Sequence, residues 1–115
     1  MKRLIGSFSC AIQGIHHSIA SSPNMRIHLL AAAAVTGLGF IVGLTRIEWA
    51  LLSLTVFMVL VAETVNSAIE KTVDLACPER HPVARLAKDM AAGAVLLTAL
   101  NALVMAVLLF GTHLF

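Results

Sequence analysis

Charge is scarce in this chain. Asp, Glu, Lys and Arg make up 12% of its 115 residues, about half the roughly 25% of an ordinary soluble domain. Apolar residues fill the place, at 59% of the total. A single domain of this length cannot hide so much apolar surface within itself, so lipid must cover it. Tyrosine is absent, and the aromatics are five Phe and one Trp. The aromatic belt at the membrane interface is therefore thin, and anchoring falls to charged residues. The net charge of +2 is too small to imply a nucleic-acid partner. Cys10 and Cys77 lie far apart, with no CxxC partner and no metal-ligand spacing. They read as small apolar fillers in a reducing cytoplasm. No His/Cys set supports zinc. A GxxxxGK[ST] loop and the protein-kinase motifs are missing, which excludes a P-loop. Ser7, Ser9, Gln13, His16 and His17 interrupt the apolar run behind the first basic residues, so no cleavable signal peptide is expected.

What is present is helical periodicity. Leu4, Ile5, Phe8, Ala11, Ile12, Ile15 and Ile19 recur at three- and four-residue steps, which predicts an amphipathic helix over about 2–20, lying in the membrane surface or on a partner. Ser21-Ser22-Pro23-Asn24 breaks it. Residues 27–45 contain one ionisable side chain, His28, and approach the ~20 residues of a spanning helix. Gly39 and Gly43 form a GxxxG pair that permits close helix contact. Thr45-Arg46-Ile47-Glu48 is expected to be a short turn. The second span, about 49–70, carries Glu63 within the membrane or at its inner boundary, because residues 49–62 reach only about 21 Å. Its helix continues to about Leu75. Cys77-Pro78 and His81-Pro82 mark a polar loop, and a third span covers about 88–111, its helix beginning around Arg85 to Lys88. The fold class is thus an all-α membrane protein, a single integral membrane domain over 1–115 with an N-terminal amphipathic surface helix plus three transmembrane helices.

Basic residues orient it. Lys2, Arg3, Arg26, Lys71, Arg80, Arg85 and Lys88 fall on one side, and Arg46 alone falls on the other. The positive-inside rule places the N-terminus and the polar loop in the cytoplasm and the C-terminus outside.

The chemistry is concentrated in the second span. At 100° per residue, Glu63, Asn66, Ser67, Glu70 and Asp74 share one stripe about 100° wide. Carboxylates are expensive against lipid, so the stripe must face protein or water. It reads as an active site, or as acids paired with Arg26, Lys71, Arg85 or Lys88 to hold helices together. Glu63 and Glu70 stand about 10.5 Å apart along the axis. Bonds of about 2.1 Å to Mg²⁺ make joint ligation of one ion strained. One carboxylate taking a proton and the other holding a metal is the easier division. Lys88-Asp89 sits where the loop enters the third span, at a helix N-terminus that favours anions; snorkelling and capping is its bland reading. Asn24, Arg26 and His28 cluster at the start of the first span, where a lone His is more often a structural hydrogen bonder.

Taken together, Glu63-Thr64-Val65-Asn66-Ser67-Ala68-Ile69-Glu70 with Val73-Asp74, and Ala87-Lys88-Asp89-Met90-Ala91-Ala92-Gly93-Ala94-Val95-Leu96, resemble the two signature blocks of the prokaryotic diacylglycerol kinase family, which includes undecaprenol kinases. Asn24-Met25-Arg26-Ile27-His28 resembles the form common in the undecaprenol kinase branch. The resemblance covers nearly the whole chain. It implies a homotrimer in the bacterial inner membrane that transfers the γ-phosphate of ATP, with Mg²⁺, to a lipid hydroxyl at the cytoplasmic interface. By motif, Glu63 resembles the general base and Glu70 a metal ligand. Arg3, Cys10, Asn66, Glu70, Asp74, Glu79, Arg80, His81, Lys88 and Asp89 match positions around the nucleotide. Asn24, Arg26 and His28, with Glu63, are assigned to the lipid substrate. The family usually has a metal-holding glutamate just before the Asn-x-Arg segment; Ser22 stands there, a poor ligand. Cys10 stands where an aromatic that contacts nucleotide often sits.

The function expected is phosphorylation of undecaprenol, with diacylglycerol as the alternative acceptor. A proton-coupled transporter with Glu63 as carrier is the rival of another class, and it leaves Glu70, Asp74 and Lys88-Asp89 without work. A catalytically dead membrane protein is the third reading, raised by Ser22.

Overall fold

The computed structural model describes residues 1–115 as four helices: α1 Lys2–Ser21, α2 Pro23–Val42, α3 Arg46–Ala76 and α4 Pro82–Leu114. Helices α2, α3 and α4 are each long and apolar enough to cross a membrane. The chain is a membrane protein of the expected class.

Local chemistry sets each boundary. Ser22 alone interrupts α1 and α2, with extended φ and ψ of −113° and 112°. Pro23 disfavours a helical Ser22 and itself suits the first helical position. The Ser22 hydroxyl accepts from the Met25 N–H at 3.2 Å, capping α2. Gly43 ends α2 in the left-handed region at φ 74°, a conformation glycine adopts without strain.

Thr45-Arg46-Ile47-Glu48 is not a turn. It is a reciprocal cap: Glu48 N–H donates to Thr45 Oγ1 at 3.2 Å, and Thr45 N–H donates to Glu48 Oε1 at 2.9 Å. Helix α3 therefore begins at Arg46. Helix α4 likewise begins earlier than expected, at Pro82, because the His81 ring Nδ1 accepts from Val83 N–H at 3.1 Å.

The glycine pair also divides. A Cβ on Gly39 would lie 2.8 Å from the Trp49 ring and 3.0 Å from the Leu44 side chain, so Gly39 gives close approach between α2 and the start of α3. Nothing approaches Gly43, whose role is the backbone turn.

The three long helices alternate in direction. The α2 N-terminus and the α3–α4 loop share one end, and the Gly43–Thr45 turn and the C-terminus share the other. Leu44, Leu52, Leu109 and Phe110 form the buried core near the second end. His113 Nε2 lies 3.0 Å from Glu48, closing α4 onto α3 there. Helix α1 touches α2 and α3 but not α4. Its apolar residues Leu4, Ile5, Phe8, Ile12 and Ile15 are exposed, as an interfacial helix requires. Only 13 of the 115 residues are buried, so the apolar exterior must be covered by lipid or by other chains.

Candidate active site

The polar residues of α3 are buried in order of distance from the open end. Glu63 is 2% exposed, Asn66 5% and Ser67 9%; Glu70 and Asp74, one and two turns nearer the loop, are exposed. Helical periodicity stacks them. The sequence reading of a protein-facing stripe therefore holds for its upper half.

Glu63 meets α2. The Ser22 hydroxyl donates to its Oε1 at 3.1 Å. His28 Nε2 stands 4.0 Å from its Oε2, and Oε2 is buried without a hydrogen-bond partner. No Lys or Arg pairs with Glu63, so the ion-pairing explanation fails for the most buried acid. A turn below, Asn66 Nδ2 donates to Glu70 Oε1 at 3.2 Å. Asn66 Oδ1 is buried and unpartnered.

Two helical turns further, Lys88 of α4 forms an ion pair with Asp74 of α3. This pair links α3 and α4 where the loop leaves them. Arg85 and Asp89 pair along one face of α4 at 3.9 Å. Below lies an open cleft of about 780 Å³, lined by Asp74, Glu79, Arg80, His81, Arg85, Lys88 and Asp89 among others. Its mixture of cations and acids around a helix N-terminus suits a phosphate chain.

A second cavity, about 280 Å³, lies between α2, α3 and α4 on the other side of Glu63. Its walls are mostly apolar, built from alanines and aliphatic side chains of α2, α3 and α4, with the Thr55 hydroxyl bonded back to its own helix. His28 lines it too, so one residue faces both the slot and Glu63. The slot went unread in the sequence. Its signal was the spacing of Ala99, Ala102 and Ala106 opposite Ala31 and Ala32, small residues whose facing surfaces leave room between helices.

The sequence-derived set thus divides. Glu63 and His28 come together, as do Asn66 with Glu70, and Asp74, Glu79, Arg80, His81, Lys88 and Asp89 around the cleft. Asn24 and Arg26 are exposed, and their side chains enter no hydrogen bond or ion pair. Arg3 and Cys10 are exposed on α1, which does not reach α4, and neither lines the cleft. Ser22, which stands by motif at the family's second metal position, caps α2 and donates to Glu63.

Residues 9–110 match a family model described as prokaryotic diacylglycerol kinase. The chain is 39% identical over 110 residues to the undecaprenol kinase of Bacillus subtilis, covering 96% of this chain and 89% of that protein. It is 39% identical over 102 residues to the diacylglycerol kinase of Synechocystis, covering 88% of this chain and 58% of that protein. It is 31% identical over 94 residues to the diacylglycerol kinase of Pseudomonas aeruginosa, covering 82% of this chain and 76% of that protein.

Proposed function

The chain belongs to the prokaryotic diacylglycerol kinase family and is a lipid kinase, and from that premise we propose that it phosphorylates undecaprenol with ATP and Mg²⁺, with Glu63 as the general base. The observation that carries the proposal is the position of Glu63. Its carboxylate is buried with one oxygen uncommitted, between an apolar slot and a ladder of polar side chains that descends to a charged cleft. A lipid alcohol places its chain among apolar walls and its hydroxyl at the carboxylate. A nucleotide places its phosphates among Lys88, Arg80 and Arg85.

Phosphoryl transfer asks little covalent chemistry of a protein; positioning and charge neutralisation dominate. Glu63 Oε2 accepts the hydroxyl proton as the lipid oxygen attacks the γ-phosphorus. Ser22 holds Oε1 and so orients the carboxylate. Lys88, aligned by Asp74, supplies a positive charge on the nucleotide side. Glu70 and Asn66 fit a divalent cation: one carboxylate and an orphaned amide oxygen are a hard-oxygen set, and substrate phosphates and water ordinarily complete such a shell. When bound, the cation neutralises phosphate charge. Ser22 is committed elsewhere and contributes no ligand.

Two observations favour undecaprenol over diacylglycerol. The Asn24-Met25-Arg26-Ile27-His28 segment has the form common in undecaprenol kinases, and the undecaprenol kinase of Bacillus subtilis is similar over 96% of this chain. The active site and N-terminus are assigned to the cytoplasmic face of the inner membrane by the basic residues at that end. A homotrimer is the assembly proposed. Asn101, exposed midway along α4 among apolar neighbours, forms no hydrogen bond through its side chain, and such a polar group in a span calls for a partner helix.

The test is direct competition. Purified protein in detergent micelles receives labelled ATP, Mg²⁺ and either undecaprenol or diacylglycerol at equal mole fraction. Faster labelling of undecaprenol is expected. Preference for diacylglycerol reverses the acceptor assignment, and ATP-independent flux driven by a pH gradient would favour a transporter.

A further inference from the structure

A buried base must lose its proton after each turnover, and Glu63 is 2% exposed. Ser22 cannot take that proton, because its hydroxyl donates to Oε1 and its oxygen accepts from the Met25 N–H. The unpartnered Oε2 faces one titratable side chain, His28, at 4.0 Å. The imidazole is 21% exposed, so it spans the distance between a sealed carboxylate and the surroundings. We infer that His28 is the proton relay of this site, receiving on Nε2 the proton that Glu63 has taken from the lipid hydroxyl. The inference rests on the lipid-kinase reading and adds a step to it.

The balance is simple. As the lipid oxygen bonds to the γ-phosphorus, the bond from that phosphorus to the ADP oxygen breaks, and ADP keeps the electron pair. The lipid O–H breaks and Oε2–H forms. The Nε2 lone pair then takes this proton, and Glu63 is again a carboxylate. The imidazolium gives up its Nδ1 proton to water, and proton exchange with water restores the Nδ1–H tautomer before the next turnover. The contact must shorten by roughly 1 Å to become a hydrogen bond, a change that catalytic contacts commonly undergo when substrate arrives.

The surroundings leave His28 this task. From α3 the ionisable group facing it is Glu63. The α4 residues lining the slot beside it, Ala99, Ala102, Leu103 and Ala106, carry no charge. The buried residue of α1 is Ser18, whose hydroxyl does not titrate. On its own helix, Arg26 is exposed and makes no ion pair. His28 acts on the lipid through Glu63, so it is a positioning and relay residue.

The test compares wild type with His28→Gln and His28→Ala, as full-length protein in micelles with undecaprenol, labelled ATP and Mg²⁺. The kcat of His28→Gln should fall about 10- to 100-fold, with KM for ATP and lipid within about twofold. Imidazole added to His28→Ala should raise its rate in proportion to concentration and leave the wild type unaffected. A wild-type kcat in His28→Gln overturns the relay. So does a loss seen only as a raised lipid KM, with no response to imidazole, because that is a lipid contact. If neither variant folds, the wild type still decides: the His28 imidazole ¹⁵N signals should move on Glu63→Gln, and unmoved signals overturn the coupling. Absence of phosphate transfer by the wild type to any lipid alcohol overturns the lipid-kinase reading itself. Transfer by wild type with an unaffected His28→Gln overturns only the relay.

Discussion

Ser22 and Glu63, 41 positions apart, are joined by a hydrogen bond of 3.1 Å from the serine hydroxyl to Oε1. The same hydroxyl oxygen caps α2. One small side chain thus couples the start of a helix to the carboxylate proposed as the general base. Ser22→Ala should remove the cap, at about 1 kcal/mol, and release the carboxylate. A lowered thermal midpoint and a reduced kcat are expected, with the Mg²⁺ titration unchanged. A shifted Mg²⁺ titration would place a metal at Ser22 after all.

Glu63→Gln keeps the shape and an acceptor for Ser22 but loses the basic oxygen. Turnover should fall by about 10² to 10⁴, while helix content and ATP binding stay close to wild type. Radiolabel transfer measures the first, and circular dichroism with equilibrium nucleotide binding measures the second. Normal turnover would remove Glu63 from the role of base.

Glu70 is exposed, and one of its oxygens accepts from Asn66 Nδ2. Glu70→Gln should raise the Mg²⁺ concentration needed for half-maximal activity several-fold, with kcat at saturating Mg²⁺ changed less. An unaltered titration curve argues that substrate phosphates hold the cation by themselves.

Lys88 and Asp74 pair across α3 and α4, yet both are well exposed, at 39% and 63%. Exposed pairs contribute about 0–1 kcal/mol. Lys88→Met should therefore leave the thermal midpoint nearly unchanged while raising KM for ATP. Equal losses of stability and ATP affinity would instead make the pair a helix fastener.

Gly39 has no room for a methyl group, with the Trp49 ring 2.8 Å from its Cβ position. Gly39→Ala should cost roughly 1–3 kcal/mol by overpacking. Gly14, with nothing within 4 Å, should tolerate alanine and gain slightly from helix propensity. Thermal unfolding of both variants in one detergent provides the comparison, and equal midpoints would contradict the close packing at Gly39.

The sequence by itself determined what depends on spacing along one helix and on composition. Sparse charge and long apolar runs required a membrane. The 3.6-residue period placed Glu63, Asn66, Ser67, Glu70 and Asp74 on one stripe, and that stripe with Lys88-Asp89 carried the family resemblance. The capping box at Thr45 and Glu48 was equally local, and reading it as a turn overlooked its reciprocal chemistry. Tertiary structure decided what depends on which faces meet. Periodicity gives the angle of Glu63 about its own axis, but the residue opposite depends on the crossing of α2 and α3. That crossing brings Ser22 to Oε1 as a tether and leaves Oε2 to His28. The meeting of α2, α3 and α4 opens the slot between facing alanines, and α1, packed on α2 and α3, holds Arg3 and Cys10 away from the cleft. The stripe in the second span opened the functional reading; packing assigned its most buried carboxylate a hydroxyl and an imidazole as neighbours.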